Sequence, residues 1–392
     1  MRIAIFSETF LPTPDGVANF LGNFSRQLVK MGHEPHIFTT GRLIGGDGDA
    51  EGYIHRFKSI KFPLYAQYRI SPEPFIGALR TVKKLDVDVI HIHTPFFMGT
   101  AGFICSRVLE IPLVGTFHTN FLDMADSISS STIFRGFVHF AWKYTRGIYR
   151  RCSLLTTSSS STAELLNQKF RREVLVIPHG IDVERFSHSA EMIDIRERHD
   201  VDGDAAIITY LGRLTRDKGV DTLLDAFVTV RKRRKACLVI AGIGPERSAL
   251  EEKARALGIG VDTRFTGYVD EMEKTSLLRQ SDVVVLVSKA DLVPLVLVEA
   301  MACGTPVIGS RAGGIPNLIE DGRTGILVEE GDPKELSDRV LDVLSSSDLA
   351  EMKSNAMKHV AQNFSTEVTT KAFLDIYRRS LRLHEQGNEM SS

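Results

Sequence analysis

The chain has 392 residues, which is long for a single hydrophobic core, so two domains are expected. Hydrophobic residues make up 43% of it and charged residues 25%, as in an ordinary globular protein. The net charge of -1 excludes a bulk attraction to nucleic acid or to anionic lipid, so a partner of either kind would have to bind a local patch.

Short β-branched runs alternate with longer amphipathic patterns along the chain. In the first half, the predicted buried strands are RIAIFS, EPHIFT, VDVIHIH, PLVGTF, SLLTTS and EVLVIP. In the second half they are AAIITYLG, ACLVIAG, DTRFTG, DVVVLVS, TPVIGS and GILVEEG. Helices are predicted between them, for example over VANFLGNFSRQLVKMG and VDTLLDAFVTVRKRRK. This α/β alternation predicts two Rossmann-like domains with doubly wound parallel sheets, which bind ligands at strand carboxyl ends facing a central cleft.

The pattern restarts near residue 205, after the polar stretch ERFSHSAEMIDIRERHDVDGD, which is the best candidate for a domain boundary. The first ten residues contain too short an apolar run for a signal peptide, and no stretch reaches about 18 consecutive apolar residues. The cysteines form no Cys-X-X-Cys pair, which argues against a zinc site or a disulfide framework. We therefore expect a cytoplasmic protein without a membrane-spanning segment.

The first strand is followed by a turn made of Pro12, Pro14, Asp15 and Gly16, directly ahead of a helix. A glycine there lets the backbone approach a ligand, and the helix N-terminus offers free N–H groups to an anion. The alternative is an ordinary strand-to-helix turn. The stretch is not a GxGxxG fingerprint, so it gives little support to dinucleotide binding.

Three histidines come at the ends of predicted strands. His118 follows the strand in PLVGTFHTNF, where it serves either as a structural side chain or as a group at the ligand. His91 and His93 share one strand face in VIHIHT. No third metal ligand accompanies them, so packing near the cleft is favoured over metal binding.

Residues 134–151, FRGFVHFAWKYTRGIYRR, interleave aromatic with basic side chains and contain the only tryptophan. A basic, aromatic, amphipathic helix fits a membrane interface or a lipid acceptor with an anionic head group. The alternative is a helix with one packed aromatic face and solvated charges. The residues proposed for acceptor or membrane contact are Arg135, Trp142, Lys143, Arg146, Arg150 and Arg151.

In the second half, GRLTRDKG places Arg213 and Lys218 between a strand and a helix, where two cations suit a diphosphate. The alternative is that both are solvated loop charges. Gly212 precedes them, and Gly244 lies in the turn AGIGPE, which brings the backbone close to the cleft. Further along, KADLVPLVLVEAMACGTPVIGS holds two carboxylates, Asp291 and Glu299, eight residues apart.

These stretches, with EAMACGTPVIGSRAGGIPNLIEDGRTGILV, resemble the motifs of the family 4 retaining glycosyltransferases. SETFLPTPDGV, FHT and IPHGIDVERF extend the resemblance over essentially the whole chain. It implies the GT-B fold, with a Rossmann-like acceptor-side domain over residues 1–185 and a nucleotide-sugar donor domain over residues 200–371. A final helix, residues 372–392, is expected to cross back onto the first domain.

The resemblance also implies roles for single residues. Gly16 would contact the donor diphosphate, and His118 would approach a hydroxyl or carbonyl of the donor sugar. Arg213 and Lys218 would neutralise the departing nucleoside diphosphate, which also makes them catalytic candidates with His118. Asp291 would hold sugar hydroxyls and Glu299 the nucleotide ribose. The remaining donor-binding candidates are two glycines and two residues at a helix N-terminus aimed at phosphate: Gly212, Gly244, Leu295 and Val296.

One motif departs from the family pattern. Asp291 replaces the usual glutamate, and Val293-Pro294 stand where Phe-Gly is usual. Asp is one methylene shorter, and Pro294 lacks an N–H group near the sugar. We expect Asp291 in a loop and Glu299 about two turns into a helix over Leu295–Cys303, roughly 12 Å along at 1.5 Å per residue.

The resemblance implies a hexosyltransferase that moves a hexose from a nucleotide-diphosphate sugar to an acceptor hydroxyl with retention of configuration. Such enzymes work by front-side substitution without a protein nucleophile, and neither a cofactor nor an essential metal is expected. The segment 134–151 favours a membrane lipid or glycolipid as acceptor and a peripheral position on the inner face of the membrane. The alternatives are a soluble acceptor, a degenerate nucleotide-sugar-binding or regulatory protein, and a sugar-nucleotide epimerase. Nucleic acid is not expected as a partner.

Overall fold

The structure is a computed structural model, and the chain divides into two compact units. The first unit combines Met1–Gly180 with Thr366–Ser392, and the second is Ile181–Ser365. The division thus falls at Gly180, where the sequence suggested 185, and the return to the first unit begins at Thr366 instead of 372. The structure describes residues 1–13, 16–41, 53–62, 65–71, 75–118, 142–187, 192–289, 291, 293–346 and 349–389.

The first unit is built on a seven-stranded parallel sheet of order β3-β2-β1-β6-β7-β8-β9, with β4 and β5 as a separate antiparallel pair. A further helical stretch covers residues 142–149. The other elements are β1 (Arg2–Phe6), α1 (Gly16–Lys30), β2 (Glu34–Thr40), β3 (Ile54–Phe57), β4 (Ile60–Phe62), β5 (Tyr65–Ile70), α2 (Phe75–Leu85), β6 (Val89–Ile92), α3 (Phe97–Leu109), β7 (Leu113–Phe117), β8 (Leu154–Thr157), α4 (Ser160–Phe170) and β9 (Leu175–Val176).

The second unit has a six-stranded parallel sheet of order β12-β11-β10-β13-β14-β15. Its elements are α5 (Val183–Ser187), α6 (Ile195–Arg198), β10 (Ala206–Leu211), α7 (Val220–Arg233), β11 (Ala236–Ala241), α8 (Arg247–Ala256), β12 (Thr263–Gly267), α9 (Glu271–Gln280), β13 (Val283–Leu286), α10 (Leu295–Ala302), β14 (Val307–Ser310), β15 (Ile326–Val328), α11 (Pro333–Ser345) and α12 (Ala350–Asn363). One-turn 3-10 helices cover Arg216–Lys218, Gly260–Asp262 and Ile315–Asn317. The last helix, α13 (Thr366–Glu389), belongs to the first unit.

The predicted α/β class with two parallel sheets is confirmed, and all twelve predicted strands form. Apart from the edge strands β9 and β12, their central residues are buried on both faces, as parallel strands covered by helices require. The short strands β3, β4 and β5 were not predicted. The two quoted helices are also confirmed, and α7 ends on three cations that complement the carbonyl groups of its last turn: Arg231, Lys232 and Arg233.

Each face of the first sheet carries its own core. On one face, Phe6, Ile92 and Phe117 pack under α2 and α3. On the other face, Ile5 packs with Phe20 of α1 and with residues of α13. Side chains alternate along a strand, so His91 in β6 and His93 directly after it point to the same face of the sheet. This is the face covered by α1 and α13.

None of the helices in the described ranges is long and apolar enough to cross a membrane.

The turn after β11 depends on a glycine. Gly242 has φ of +148°, and a Cβ at this position would lie 1.8 Å from the carbonyl oxygen of Gly212. We expect Gly242→Ala to lower the free energy of unfolding by about 2–4 kcal/mol, because it adds both backbone strain and a clash with backbone. Urea titration followed by circular dichroism measures this change. Gly203→Ala is the control, since a Cβ there meets no described atom within 4 Å. Equal stability of the two variants would contradict the prediction.

Candidate functional site

The second sheet reverses its strand order at β10 and β13, which are neighbours although two strands of the sheet, β11 and β12, separate them in sequence. In open parallel sheets, ligands bind in the crevice outside the carboxyl ends of the strands at such a point. Lys218 follows β10 and Asp291 follows β13. The fold therefore places these two candidate residues side by side at the position where a ligand is expected.

Lys218 is buried and forms ion pairs with two carboxylates. Its Nζ lies 2.5 Å from Asp291 Oδ1 and 3.4 Å from Asp217 Oδ2, and its relative exposure is 7%. The lysine ends a 3-10 turn that closes at Gly219, where φ is +67° and a Cβ would lie 2.2 Å from the carbonyl oxygen of Val287. The sequence assigned Lys218 and Asp291 to different parts of a ligand, and the structure joins them directly.

Arg213 has a different environment from Lys218. Its side chain is exposed, and its carbonyl oxygen accepts a hydrogen bond of 2.7 Å from the Tyr210 hydroxyl. Among the described residues, its guanidinium forms no ion pair. The cations predicted as a pair thus differ: one is already neutralised by the protein, and the other is open to a ligand.

Glycines hold the strand-end loops of this unit together. Gly212 N–H donates to the Ala241 carbonyl at 2.9 Å, and a Cβ on Gly244 would lie 2.2 Å from the carbonyl oxygen of Leu214. The Asp291 carbonyl accepts a hydrogen bond of 2.6 Å from the N–H of Gly314. Gly212 and Gly244 therefore allow the loops after β10 and β11 to touch, and Asp291 is clamped to the loop after β14.

Glu299 lies less deep in its helix than the sequence suggested. Asp291, Val293 and Pro294 are not helical, and Pro294 is the N-cap of α10, so Leu295 and Val296 lie in its first turn. Glu299 is its fifth residue, so the expected two turns were wrong and the rise is about 6 Å at 1.5 Å per residue. The predicted end at Cys303, followed by Gly304 with φ of +72°, agrees with a helix that stops at Ala302.

Glu299 has a cationic partner that the sequence did not reveal. Its Oε1 accepts a hydrogen bond of 2.9 Å from Lys274 Nζ, which also lies 3.1 Å from Glu271. Burial lowers the pKa of Lys274, but the two carboxylates outweigh burial and raise the pKa above its usual value. Lys274 lies on α9, 25 residues before Glu299, and no pattern in the sequence links the two.

In the first unit the corresponding reversal of strand order lies between β1 and β6. Glu8 follows β1 and is 4% exposed. Its Oε1 accepts a hydrogen bond of 2.6 Å from the N–H of Met98 in the first turn of α3, while Oε2 is buried without a hydrogen-bond partner among the described residues. Burial raises the pKa of Glu8 to about 8, although the N–H groups of α3 act in the opposite direction. Glu8 was not among the predicted site residues.

His118 belongs to a chain of hydrogen-bonded imidazoles. His118 Nδ1 lies 3.0 Å from His179 Nε2, and His118 Nε2 lies 2.7 Å from His93 Nδ1. His93 Nε2 lies 3.2 Å from His91 Nδ1, which is also 2.7 Å from the Tyr377 hydroxyl. The sequence suggested the three histidines of β6 and β7, but it gave no signal that His179 and Tyr377 complete the row.

The four imidazoles are neutral at pH 7. Burial lowers the pKa of His91, His93 and His118 well below the usual value, with repulsion between neighbouring imidazolium charges as a further cause. Burial alone lowers the pKa of His179 to about 4. Phe20 stacks on His179 with ring centroids 4.5 Å apart, which adds to the apolar surroundings. No group of three or more His, Cys, Asp or Glu side chains that could hold a metal ion is found among the described residues.

The basic and aromatic segment is described only from Trp142 onward, so Arg135 lies outside the described residues. Trp142 is half-buried, and its ring contacts Phe117 and Phe170 in the core of the first unit. Lys143, Arg150 and Arg151 are exposed, whereas Arg146 is half-buried. Within the described part, Trp142 and Tyr149 pack inward, whereas Tyr144 and three cations are exposed.

Gly16 begins α1, and Pro14 and Asp15 of the preceding turn lie outside the described residues. A Cβ on Gly16 would meet no described atom within 4 Å. Steric crowding by the described residues therefore does not require glycine here, and its contact with a ligand stays a prediction.

Comparison with known proteins supports the resemblance on which these assignments rest. The model "Glycosyltransferase Family 4" matches residues 14–185, and "Glycosyl transferases group 1" matches residues 191–360. The alpha-monoglucosyldiacylglycerol synthase of Streptococcus pneumoniae is 30% identical over 338 residues, which cover 83% of this chain and 75% of that protein. The chain belongs to glycosyltransferase family 4.

Other similar proteins match nearly the whole length of this chain. The N-acetyl-alpha-D-glucosaminyl L-malate synthase of Bacillus anthracis is 25% identical, with 97% of this chain and 98% of that protein covered. The crystal structure of Anabaena HepE in complex with UDP superposes with a TM-score of 0.74 at 21% identity, covering 96% of this chain and 99% of that chain. This similarity identifies the fold of the glycosyltransferase as GT-B.

The raised pKa of Glu8 predicts a pH-dependent stability. A carboxyl group whose pKa is higher in the folded state contributes stability that is lost as pH rises through about 8. The histidines, whose lowered pKa values act below about pH 6.5, do not interfere above that pH. Between pH 6.5 and 8 we expect the wild type to lose up to about 2 kcal/mol relative to Glu8→Gln, at about 1.4 kcal/mol per pH unit.

Urea unfolding of the two proteins at both pH values measures the difference. Glu164→Gln on α4 is the control, because Glu164 is exposed and forms no ion pair with the described residues. A difference between wild type and Glu8→Gln that stays constant from pH 6.5 to 8 would rule out a protonated Glu8.

Proposed function

We propose that this glycosyltransferase moves a hexose from a nucleotide-diphosphate sugar to an acceptor hydroxyl with retention of configuration, and that the acceptor is a membrane lipid or glycolipid. The observation that carries the proposal is the placement of Lys218, Asp291 and Arg213 at the strand reversal of the second unit. Cations at the carboxyl end of β10 suit a diphosphate, and a carboxylate beside them suits the hydroxyl groups of a sugar.

In the proposed reaction, the two cations act on the leaving group. When the bond between the anomeric carbon and the diphosphate oxygen breaks, negative charge grows on the leaving group, and Lys218 and Arg213 would stabilise it. Lys218 already has a carboxylate partner at 2.5 Å, so the incoming phosphate would share its ammonium group with Asp291. In a front-side substitution, the acceptor oxygen bonds to the same face of the sugar and its proton passes to the departing phosphate oxygen. No protein nucleophile, cofactor or essential metal enters this scheme.

Further contacts to the donor come from the remaining candidates. Glu299 would hold the ribose hydroxyls, and Lys274 would orient its carboxylate. The first-turn N–H groups of Leu295 and Val296 would face phosphate, as would the backbone at Gly16, Gly212 and Gly244. His118 would contact a substrate hydroxyl. The UDP bound to HepE makes UDP-sugars the first donors to test.

The lipid acceptor is supported by the exposed cations of the segment after residue 141 and by the relative that is named for a glucosyldiacylglycerol. Lys143, Arg150 and Arg151 are exposed on one short stretch and would attract anionic head groups on the cytoplasmic face of a membrane. A soluble acceptor is the second candidate, because the Bacillus anthracis relative, which is named for a malate product, matches 97% of this chain.

The leaving-group assignment predicts the loss of transfer in Lys218→Ala. A panel of UDP-, GDP- and ADP-sugars is first screened by thermal shift, since a bound ligand raises the unfolding temperature. With the donor that binds, we expect Lys218→Ala to lower kcat by about 10²–10³-fold, the loss typical for removal of one group that stabilises transition-state charge. Lys289→Ala is the control, because Lys289 is an exposed lysine of the same unit that pairs with Glu330 at 3.4 Å. Full activity in a folded Lys218→Ala would refute the assignment.

The acceptor assignment predicts binding to anionic liposomes. We expect the protein to sediment with vesicles of phosphatidylglycerol and phosphatidylcholine, and Lys143→Ser/Arg150→Ser/Arg151→Ser to lose most of this binding, at about 1 kcal/mol per cation near the surface. The control variant, Lys232→Ser/Arg233→Ser/Arg234→Ser, removes the same charge from exposed positions at the end of α7. Equal sedimentation of the two variants, or turnover of soluble acceptors only, would favour the second candidate.

A further inference from the structure

The imidazole row of the first unit ends on a tyrosine hydroxyl, and this hydroxyl determines the position of every proton in the row. Tyr377 of α13 is fully buried, and burial raises its pKa well above 10, so the phenol keeps its proton. Within the described part of the chain, its hydroxyl has one hydrogen-bond partner, His91 Nδ1 at 2.7 Å. If His91 Nδ1 carried a proton, the tyrosine proton would be buried without an acceptor, at a cost of about 1–3 kcal/mol. His91 Nδ1 is therefore an acceptor, and its proton is on Nε2.

The hydroxyl groups beyond His91 agree with this assignment. His91 Nε2 lies 2.6 Å from Thr116 Oγ1, which lies 2.6 Å from Thr156 Oγ1. The Thr156 hydroxyl in turn donates to the carbonyl oxygen of Gly115 at 3.4 Å. When Thr156 donates to this carbonyl, it accepts from Thr116, and Thr116 accepts from His91 Nε2. Either threonine hydroxyl can be the donor in the bond between them, so this series adapts to the proton on His91 Nε2 and does not itself fix it.

The direction propagates to the other imidazoles, because a neutral imidazole has one donor and one acceptor nitrogen. His93 Nε2 faces the unprotonated His91 Nδ1 at 3.2 Å, and two lone pairs would repel each other, so His93 Nε2 carries the proton. His93 Nδ1 then accepts from His118 Nε2 at 2.7 Å. His118 Nδ1 finally accepts from His179 Nε2 at 3.0 Å.

We propose that Tyr377 fixes all four histidines as Nε2–H tautomers, so that His118 offers Nδ1 as a hydrogen-bond acceptor and binds a ligand hydroxyl that takes the place of His179. A carbonyl oxygen or an unprotonated phosphate oxygen has no proton to donate and is rejected at this nitrogen. The sequence left open whether His118 meets a hydroxyl or a carbonyl, and the proton order of the row decides for the hydroxyl. The ligand part rests on the proposed function, whereas the tautomer part does not. Tyr377 and His93 are positioning residues in this scheme, since they act through His118.

The experiment reads the tautomers directly by NMR. The full-length protein is labelled with ¹⁵N-histidine, and long-range ¹H–¹⁵N correlations distinguish Nδ1–H from Nε2–H forms. Single His→Gln substitutions assign His91, His93, His118 and His179. We expect the Nε2–H form at all four positions in the wild type. Detection of His118 as the Nδ1–H form in the wild type would overturn the proposal, even if Tyr377→Phe did not fold.

Two tyrosine variants test whether Tyr377 causes the Nε2–H tautomers. Tyr377→Phe removes the hydroxyl that donates to His91 Nδ1, so the hydrogen bonds along the row can be directed either way. We therefore expect the Nδ1–H form of His118 to appear in measurable amounts. Tyr149→Phe is the matched control: it removes another buried hydroxyl of the same unit, which donates to the Thr116 carbonyl at 3.0 Å and touches no imidazole. We expect its histidines to keep the wild-type tautomers. A folded Tyr377→Phe that retains four pure Nε2–H forms would refute control by Tyr377.

The same spectra separate this proposal from the proposed function. On addition of the nucleotide sugar found by thermal shift, we expect the His118 Nδ1 resonance to move while the proton stays on Nε2. A protein with four Nε2–H histidines that transfers no sugar would contradict the proposed function alone. A protein that transfers sugar but shows His118 as the Nδ1–H form would contradict this proposal alone.

Discussion

The parallel pairing of two central strands in each sheet is the constraint on which both candidate sites depend. In one unit β10 lies beside β13, and in the other β1 lies beside β6, and each pair marks the point where the strand order reverses. The loops that leave the two paired strands turn to opposite faces of the sheet, which opens a crevice at the carboxyl ends of the strands. The first side chains of both loops lie at this crevice. Lys218 reaches Asp291 for this reason, although 73 residues separate them. Glu8 similarly approaches the residues that follow β6, since its N–H donates to Thr94 Oγ1 at 2.8 Å.

Burial then acts differently on the two sets of ionisable groups. In the second unit, Lys218 and Glu299 each have a side chain of opposite charge within hydrogen-bond distance. In the first unit, Glu8 and the four histidines have no such partner among the described residues, and they are neutral at pH 7. One unit therefore presents charge, as suits a diphosphate, and the other presents neutral hydrogen-bonding groups, as suits hydroxyls.

The sequence was sufficient for the fold class, for twelve of the strands and for the two quoted helices, because their hydrophobic periodicity is local. It also located Arg213, Lys218, Asp291 and Glu299 through motifs in which spacing along the chain is short. It did not reveal Lys274 beside Glu299 or Tyr377 beside His91, since these contacts depend on how helices pack on a sheet. Glu8 was missed for a different reason. Its raised pKa results from burial, and a single glutamate in SETF gives no sign that it is buried.

The return of α13 to the first unit has a consequence for the order in which the protein acquires its structure. The residues that cover one face of the first sheet, including Phe373 and Tyr377, are translated after all of Ile181–Ser365. On the ribosome, the second unit has its complete sequence while the face of the first sheet that carries Ile5, Val89 and Val114 is covered by α1 alone. Domains generally fold as units once their residues are available. The nascent first unit therefore remains unfinished, with a partly uncovered apolar sheet face, until α13 has emerged.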